Sequence, residues 1–136
     1  MKIIICGSIS AATEIVRVQT ELVQAGHEVE IPEGVKHRAL RRLEGSIEEK
    51  AEVKIQHDLI RGYYEKMKDY EVVLIVNPDL KGIAGYIGGN TLIEMAFAHV
   101  LHKRLYCLHP LPEMPYASEL VAMQPIILNG KLEAIA

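Results

Sequence analysis

The sequence has no tryptophan and one phenylalanine, Phe97, so stacking on a ligand falls to six tyrosines or to that single ring. Cysteine is nearly as scarce, with Cys6 and Cys107 each set in an apolar run. A disulfide framework needs more cysteines and an oxidising compartment, so both read as buried thiols and the chain as cytoplasmic. No apolar run approaches the length that spans a bilayer. The opening Met1–Cys6 lacks the long apolar region and small-residue cleavage site of a signal peptide, so no membrane association is expected. Positive charge is not in excess either: a formal net charge of −3 argues against broad electrostatic binding to a nucleic-acid polymer.

What is present suits one globular domain. The 136 residues are 49% hydrophobic and 24% charged, enough to bury a core and too few for two domains. Met1–Cys6 is a continuous apolar run of the kind found in a strand buried on both faces. A helical pattern follows from Ala11 to Ala25, with Ile15, Val18, Leu22 and Val23 on one face and Gly26 as its C-cap. His27–Ile31 reads as a second strand and Glu33–Gly45 as an irregular basic stretch with Lys36, His37, Arg38, Arg41 and Arg42. Ser46-Ile47-Glu48-Glu49 matches a capping box at the head of a long helix reaching Lys68.

Glu71–Val76 reads as the third strand, Thr91–His102 as a helix, Arg104–Leu108 as the fourth strand and Ser118–Met123 as a helical turn. Pro125–Leu128 reads as a fifth strand before an Asn129-Gly130 turn. Apolar strands alternating with helices specify a parallel sheet covered on both faces. The expected architecture is therefore α/β: a single-domain, flavodoxin-like (Rossmann-like) three-layer fold with a five-stranded parallel sheet. Ligands of such folds lie beyond the carboxyl ends of the strands, in the loops Gly7–Thr13, Pro32–Gly45, Asn77–Asn90 and His109–Tyr116.

Within those loops, Gly85-Tyr86-Ile87-Gly88-Gly89-Asn90-Thr91-Leu92-Ile93-Glu94 stands out. Gly88 and Gly89 permit close approach of a ligand to the backbone, and the following helix offers unpaired N–H groups. Glu94 is expected in the first turn of that helix. The same four residues, Thr91 to Glu94, also match a capping box, a purely structural use of the glutamate. Asp58, inside the long helix, is a second carboxylate in a place that disfavours Asp.

Together the two acids suit glycosidic chemistry, in which one carboxylate meets the anomeric carbon and a second handles protons. Gly7, Ser8, Ser10 and Thr13 suit a phosphate or carboxylate, or simple N-capping. Asn77 suits a sugar or base contact, or the start of an Asn-Pro-Asp turn. His99 and His102 have helical ligand spacing without a partner at zinc spacing, so no metal is expected. No cofactor is expected.

These segments resemble the nucleoside 2-deoxyribosyltransferase family, most of all its relatives that hydrolyse 2'-deoxynucleoside 5'-monophosphates. The likeness covers most of residues 1–136. It rests on Cys6-Gly7-Ser8-Ile9, Gln56-His57-Asp58-Leu59, Asp69, the run Gly88 to Glu94, Met95-Ala96-Phe97-Ala98 and Ala122-Met123. The resemblance implies that Glu94 attacks the deoxyribose anomeric carbon, that Asp58 assists base departure or activates the acceptor, and that a homodimer or larger homo-oligomer completes the site.

It further implies a nucleoside or nucleotide substrate, for which the loop residues Gly7, Ser8, Ser10, Asn77, Gly88, Gly89 and Asn90 are the expected contacts. The chain departs from the family pattern at Ile4, Ser10, Gly88 and Val121, where a tyrosine, an arginine and two serines are usual. Those departures keep two alternatives open: a catalytically silent nucleotide or small-molecule binding module, and an FMN-binding flavodoxin-like protein.

Overall fold

The computed structural model describes residues 1–36 and 59–136. Along them run β1 (Lys2–Cys6), a 3-10 turn (Ile9–Ala11), α1 (Ala12–Gln24), β2 (Glu28–Glu30) and the one-turn α2 (Glu33–Lys36). Then come α3 (59–67), β3 (Val72–Ile75) and α4 (Gly89–Val100). The chain closes with β4 (Arg104–Cys107), α5 (Ala117–Ala122), β5 (Ile126–Ile127) and a last 3-10 turn at Leu132–Ala134. The proposed capping box at Ser46 to Glu49, the basic residues His37 to Arg42 and the carboxylate Asp58 lie outside the described residues.

All strand pairs are parallel, in the order β2-β1-β3-β4-β5. This is the doubly wound, flavodoxin-like order, with a change of direction between β1 and β3. The α/β class expected from the strand and helix pattern is thus the observed one.

Strand alternation builds two cores. Ile3 and Ile5 of β1, Val72 and Leu74 of β3, and Tyr106 of β4 face α1, meeting Ile15, Val18 and Leu22. The alternate residues Ile4, Cys6, Val73, Ile75, Leu105 and Cys107 face the other way, onto Tyr63 and Met67 of α3, Met95 and Ala98 of α4, and Leu120 of α5. β1 and β3 therefore have no solvent face, and Ile3, Ile4 and Ile5 are all 0% exposed. That explains an unbroken apolar run in place of polar alternation. Each such isoleucine contributes about 1.5–3 kcal/mol by leaving water.

Local signals end the elements. After α1, Gly26 adopts φ of 94°, the amide of Gly26 donates to Val23 and that of His27 to Leu22. This is a Schellman closure, and the glycine supplies the left-handed residue it needs. After β5, Asn129 and Gly130 both have positive φ and Lys131 N donates to Leu128 O, the signature of a type I′ turn. Among the described residues, no helix is long and apolar enough to cross a membrane.

Candidate functional site

A cavity of about 270 Å³ opens at the carboxyl ends of β1 and β2. One wall is Gly7, Ser8 and Ile9, which follow β1; a second is Pro32, Glu33 and Gly34, which follow β2. Leu59, Ile60 and Tyr63 of α3 form the third, and Tyr86 with Gly88, Gly89, Asn90, Thr91, Ile93 and Glu94 closes the ring. Gly7 is dictated by packing, since a Cβ there would lie 2.9 Å from the Val76 carbonyl oxygen. No side chain fits at that crossing of β1 and β3, so the loop turns over the sheet edge as bare backbone.

Ser8 lines the cavity while its Oγ accepts the amide hydrogen of Ser10 at 3.2 Å, capping the 3-10 turn. The capping expected of Ser10 or Thr13 is therefore done by Ser8. Ser10 itself is exposed and absent from the cavity wall.

The helix carrying Glu94 starts earlier than its sequence pattern suggests. Gly88 is its N-cap, without any side-chain cap hydrogen bond, and its first turn holds no acid. Leu92 N donates to Gly88 O at 2.9 Å, so winding begins at Gly89. Thr91 is consequently an interior residue, 2% exposed, and the Thr91–Glu94 capping box does not form. Glu94 is displaced into the second turn, beyond the reach of helix-start stabilisation, which fades within one turn.

There Glu94 is half-buried, on the cavity wall. Burial raises its pKa from 4.5 to about 8, and the hydrogen bond from Cys6 pulls the other way. At neutral pH the carboxyl is mostly protonated, with an ionised fraction of about one tenth. A carboxyl raised this far inside a cavity makes the cavity a candidate functional site.

Two acids share the cavity and are tuned oppositely. Glu33 is held down to about 2, chiefly by the hydrogen bond from Lys66 at 2.7 Å and further by Lys36 at 3.1 Å. Lys36 and Lys66 also bind Glu30, at 2.6 and 2.9 Å. Burial drives Tyr63 well upward, reinforced by Cys6 and Glu94, so its phenol stays protonated and donates to the Ile5 carbonyl.

Asn77, expected at the ligand, has another use. It is 0% exposed and outside the cavity wall. Its Nδ2 donates to the carbonyls of Gly85, His109 and Pro110 at 3.3, 3.0 and 3.2 Å, and its Oδ1 accepts from His109 N at 3.0 Å. The side chain clamps the loops after β3 and β4 together.

Of the residues proposed from sequence, the structure brings together Gly7, Ser8, Gly88, Gly89, Asn90 and Glu94, and leaves Ser10 and Asn77 elsewhere. Glu33 and Tyr86 lie in loops expected to face a ligand but were not singled out as site residues, and Tyr63 was missed. Nothing near Glu33 distinguished it from a solvated acid, and no local pattern singled out Tyr63. Among the described residues, no group of three His, Cys, Asp or Glu stands close enough to hold a metal ion. Comparisons with protein-family models, with curated proteins and with solved structures return no match to this chain.

Proposed function

We propose that the protein cleaves, or transfers across, the N-glycosidic bond of a 2'-deoxyribonucleoside or its 5'-monophosphate, with Glu94 as nucleophile. The observation that carries this reading is the Glu94 carboxyl itself: desolvated, on the wall of a sugar-sized cavity, and without a cation partner among the described residues. A structural carboxylate is normally paired or solvated, because burial of an unpaired charge is costly. One left half-buried and without a cation on the wall of an open cavity is poised to exchange its poor environment for a bond or a cation.

In the ionised form, one Glu94 oxygen attacks C1' as the C1'–N bond breaks. The electron pair of that bond leaves with the base, which takes a proton. Positive charge building on the sugar is stabilised by the carboxylate, and a water or second base then displaces the glutamyl ester. Asp58 is the proposed proton carrier for the departing base or the acceptor. Gly7, Ser8 and the first turn of α4 would cradle the sugar and any 5' group through backbone N–H donors.

The reading takes the protein as a cytoplasmic homodimer or larger assembly whose neighbour closes the cavity. Ile60 and Ile93 support it: both line the cavity and are 37% and 41% exposed.

The test is incubation with deoxynucleosides and their 5'-monophosphates, with and without an acceptor base, from pH 6 to 9.5. Free or exchanged base is expected from the wild type and none from Glu94→Gln. Absence of turnover across the whole set would overturn the proposal. A second reading, a binding module without turnover, is favoured by the protonation of Glu94 near neutrality, which makes it a hydrogen-bond donor. It predicts thermal stabilisation by ligand, about 2.7 kcal/mol at 100 times the dissociation constant, with no base released.

A further inference from the structure

Tyr63, Tyr86 and Tyr116 differ in what their hydroxyls do. Tyr63 donates to the Ile5 carbonyl and Tyr116 to the Ile87 carbonyl, each at 2.5 Å. Tyr86 is half-buried on the cavity wall, and among the described residues its hydroxyl has no hydrogen-bond partner.

The loop that carries Tyr86 is nevertheless firmly braced. Leu80 and Ile83 exchange main-chain hydrogen bonds at 3.1 and 2.9 Å around Lys81 and Gly82, both at positive φ, which is a two-residue type I′ hairpin. Asp79 accepts the Gly85 amide at 3.0 Å, and Tyr86 N donates to Pro78 O at 3.0 Å. Lys81 folds back over the Tyr86 ring, its Nζ 5.1 Å from the centroid. The ring ends at the start of α4. A Cβ on Gly88 would lie 3.2 Å from Tyr86 Oη and 3.3 Å from its Cε2, so the phenol fills the room a side chain at the N-cap would need. A tyrosine used only for packing gives its hydroxyl a protein partner, as Tyr63 and Tyr116 do. Tyr86 is held in place with its donor unused, which is preorganisation for a ligand.

We propose that Tyr86 is a specificity-determining residue of the cavity: its phenol hydrogen-bonds the oxygen on the 5' carbon of the deoxyribose, hydroxyl or phosphoryl. The choice of that oxygen rests on the function proposed above. Glu94 lies six residues beyond Gly88, about 9 Å along the helix axis, and its side chain leans back toward the helix start. A sugar lying along α4 with C1' at Glu94 brings its 5' end to Tyr86.

The experiment measures binding by calorimetry to the full chain carrying Glu94→Gln, which stops turnover, with and without Tyr86→Phe. The probes are the adenine and thymine deoxynucleosides, their 5'-monophosphates and their 5'-deoxy analogues. Tyr86→Phe is expected to weaken the deoxynucleosides about three- to tenfold and to leave the 5'-deoxy analogues unchanged. A loss beyond about tenfold on the monophosphates assigns the bond to the phosphoryl group, because charged acceptors bind more strongly. The thermal midpoint without ligand is expected to match that of the parent, since no hydrogen bond within the protein is removed. Equal losses with and without the 5' oxygen, no loss on any probe, no binding of any probe, or a marked fall in the unliganded midpoint overturns the proposal. Base release by the wild type alongside a Tyr86→Phe variant indifferent to the 5' oxygen sinks this assignment and leaves the function standing. Binding that depends on Tyr86 without base release does the reverse.

Discussion

The phenol of Tyr63 donates to the main-chain carbonyl of Ile5 at 2.5 Å, pinning α3 to β1 one residue before the end of the strand at Cys6. The ring is 4% exposed, so the hydroxyl and the carbonyl have no competing water. This bond ties the wall of the cavity to the strand beneath it. Tyr63→Phe removes the donor and nothing else. It is expected to destabilise the fold by about 1–2 kcal/mol, read from urea unfolding. It should also lower turnover by loosening the cavity, with KM less affected than kcat.

Glu94→Gln tests stability and activity at once. The carboxyl is raised from 4.5 to about 8 in the folded state, so the native protein favours its protonated form. The stability this confers is complete below about pH 4.5 and is lost as pH rises through about 8. A glutamine never ionises. The variant is therefore expected to match the wild type near pH 4.5 and to exceed it above pH 8 by an amount on the order of a few kcal/mol. Base release should fall by at least about 10³-fold in the same protein. A variant less stable than the wild type at pH 9 would contradict this account of the site.

The pH–rate profile follows from the same group. A nucleophile works as the anion, so the rate is expected to rise with pH, tenfold per unit below about pH 8, and then to level off. A rate already flat between pH 6 and 8 would mean that the group limiting the reaction is not Glu94.

Asn77 separates folding from ligand binding. Its amide holds four backbone groups of the loops after β3 and β4. Asn77→Ala orphans them inside the protein, and a loss of about 2–4 kcal/mol is expected from chemical denaturation. Because Asn77 is outside the cavity wall, KM measured on the folded fraction should not change.

Lys66 governs acid tolerance near the cavity. It bridges Glu30 and Glu33 at 2.9 and 2.7 Å, and Glu33 is held down to about 2. A carboxyl lowered in the fold adds stability above its usual range and loses it as pH falls toward about 2. Lys66 is 38% exposed, so solvent screens the pair and Lys66→Met should cost no more than about 1 kcal/mol at neutral pH. That difference should shrink steadily in thermal scans from pH 5 to pH 2.

Much of the fold was legible because periodicity reports burial. A strand such as β1, apolar at every position from Ile3 to Cys6, can only lie between two covering layers. Gly26 and Asn129-Gly130 announced their turns because few residues tolerate a left-handed backbone, and the structure places positive φ at each. The start of α4 was less legible. Thr91 to Glu94 has the form of a capping box, but that motif competes with packing, and burial of Thr91 draws the helix two residues further back, to Gly89.

The sequence by itself determined the order of strands and helices, the α/β class and the presence of a glutamate close to a glycine-rich turn. Each of these depends on residues within a few positions of one another, which is the range over which propensity and alternation act. Only the tertiary structure decided that Glu94 lies half-buried on the cavity wall, that Glu33 shares that cavity as a carboxylate paired with Lys66, and that Asn77 faces loop backbone. Those facts depend on which polar atoms are driven together when two faces of a sheet are covered. A pattern that says how deep a residue lies carries no information about which atom lies opposite it.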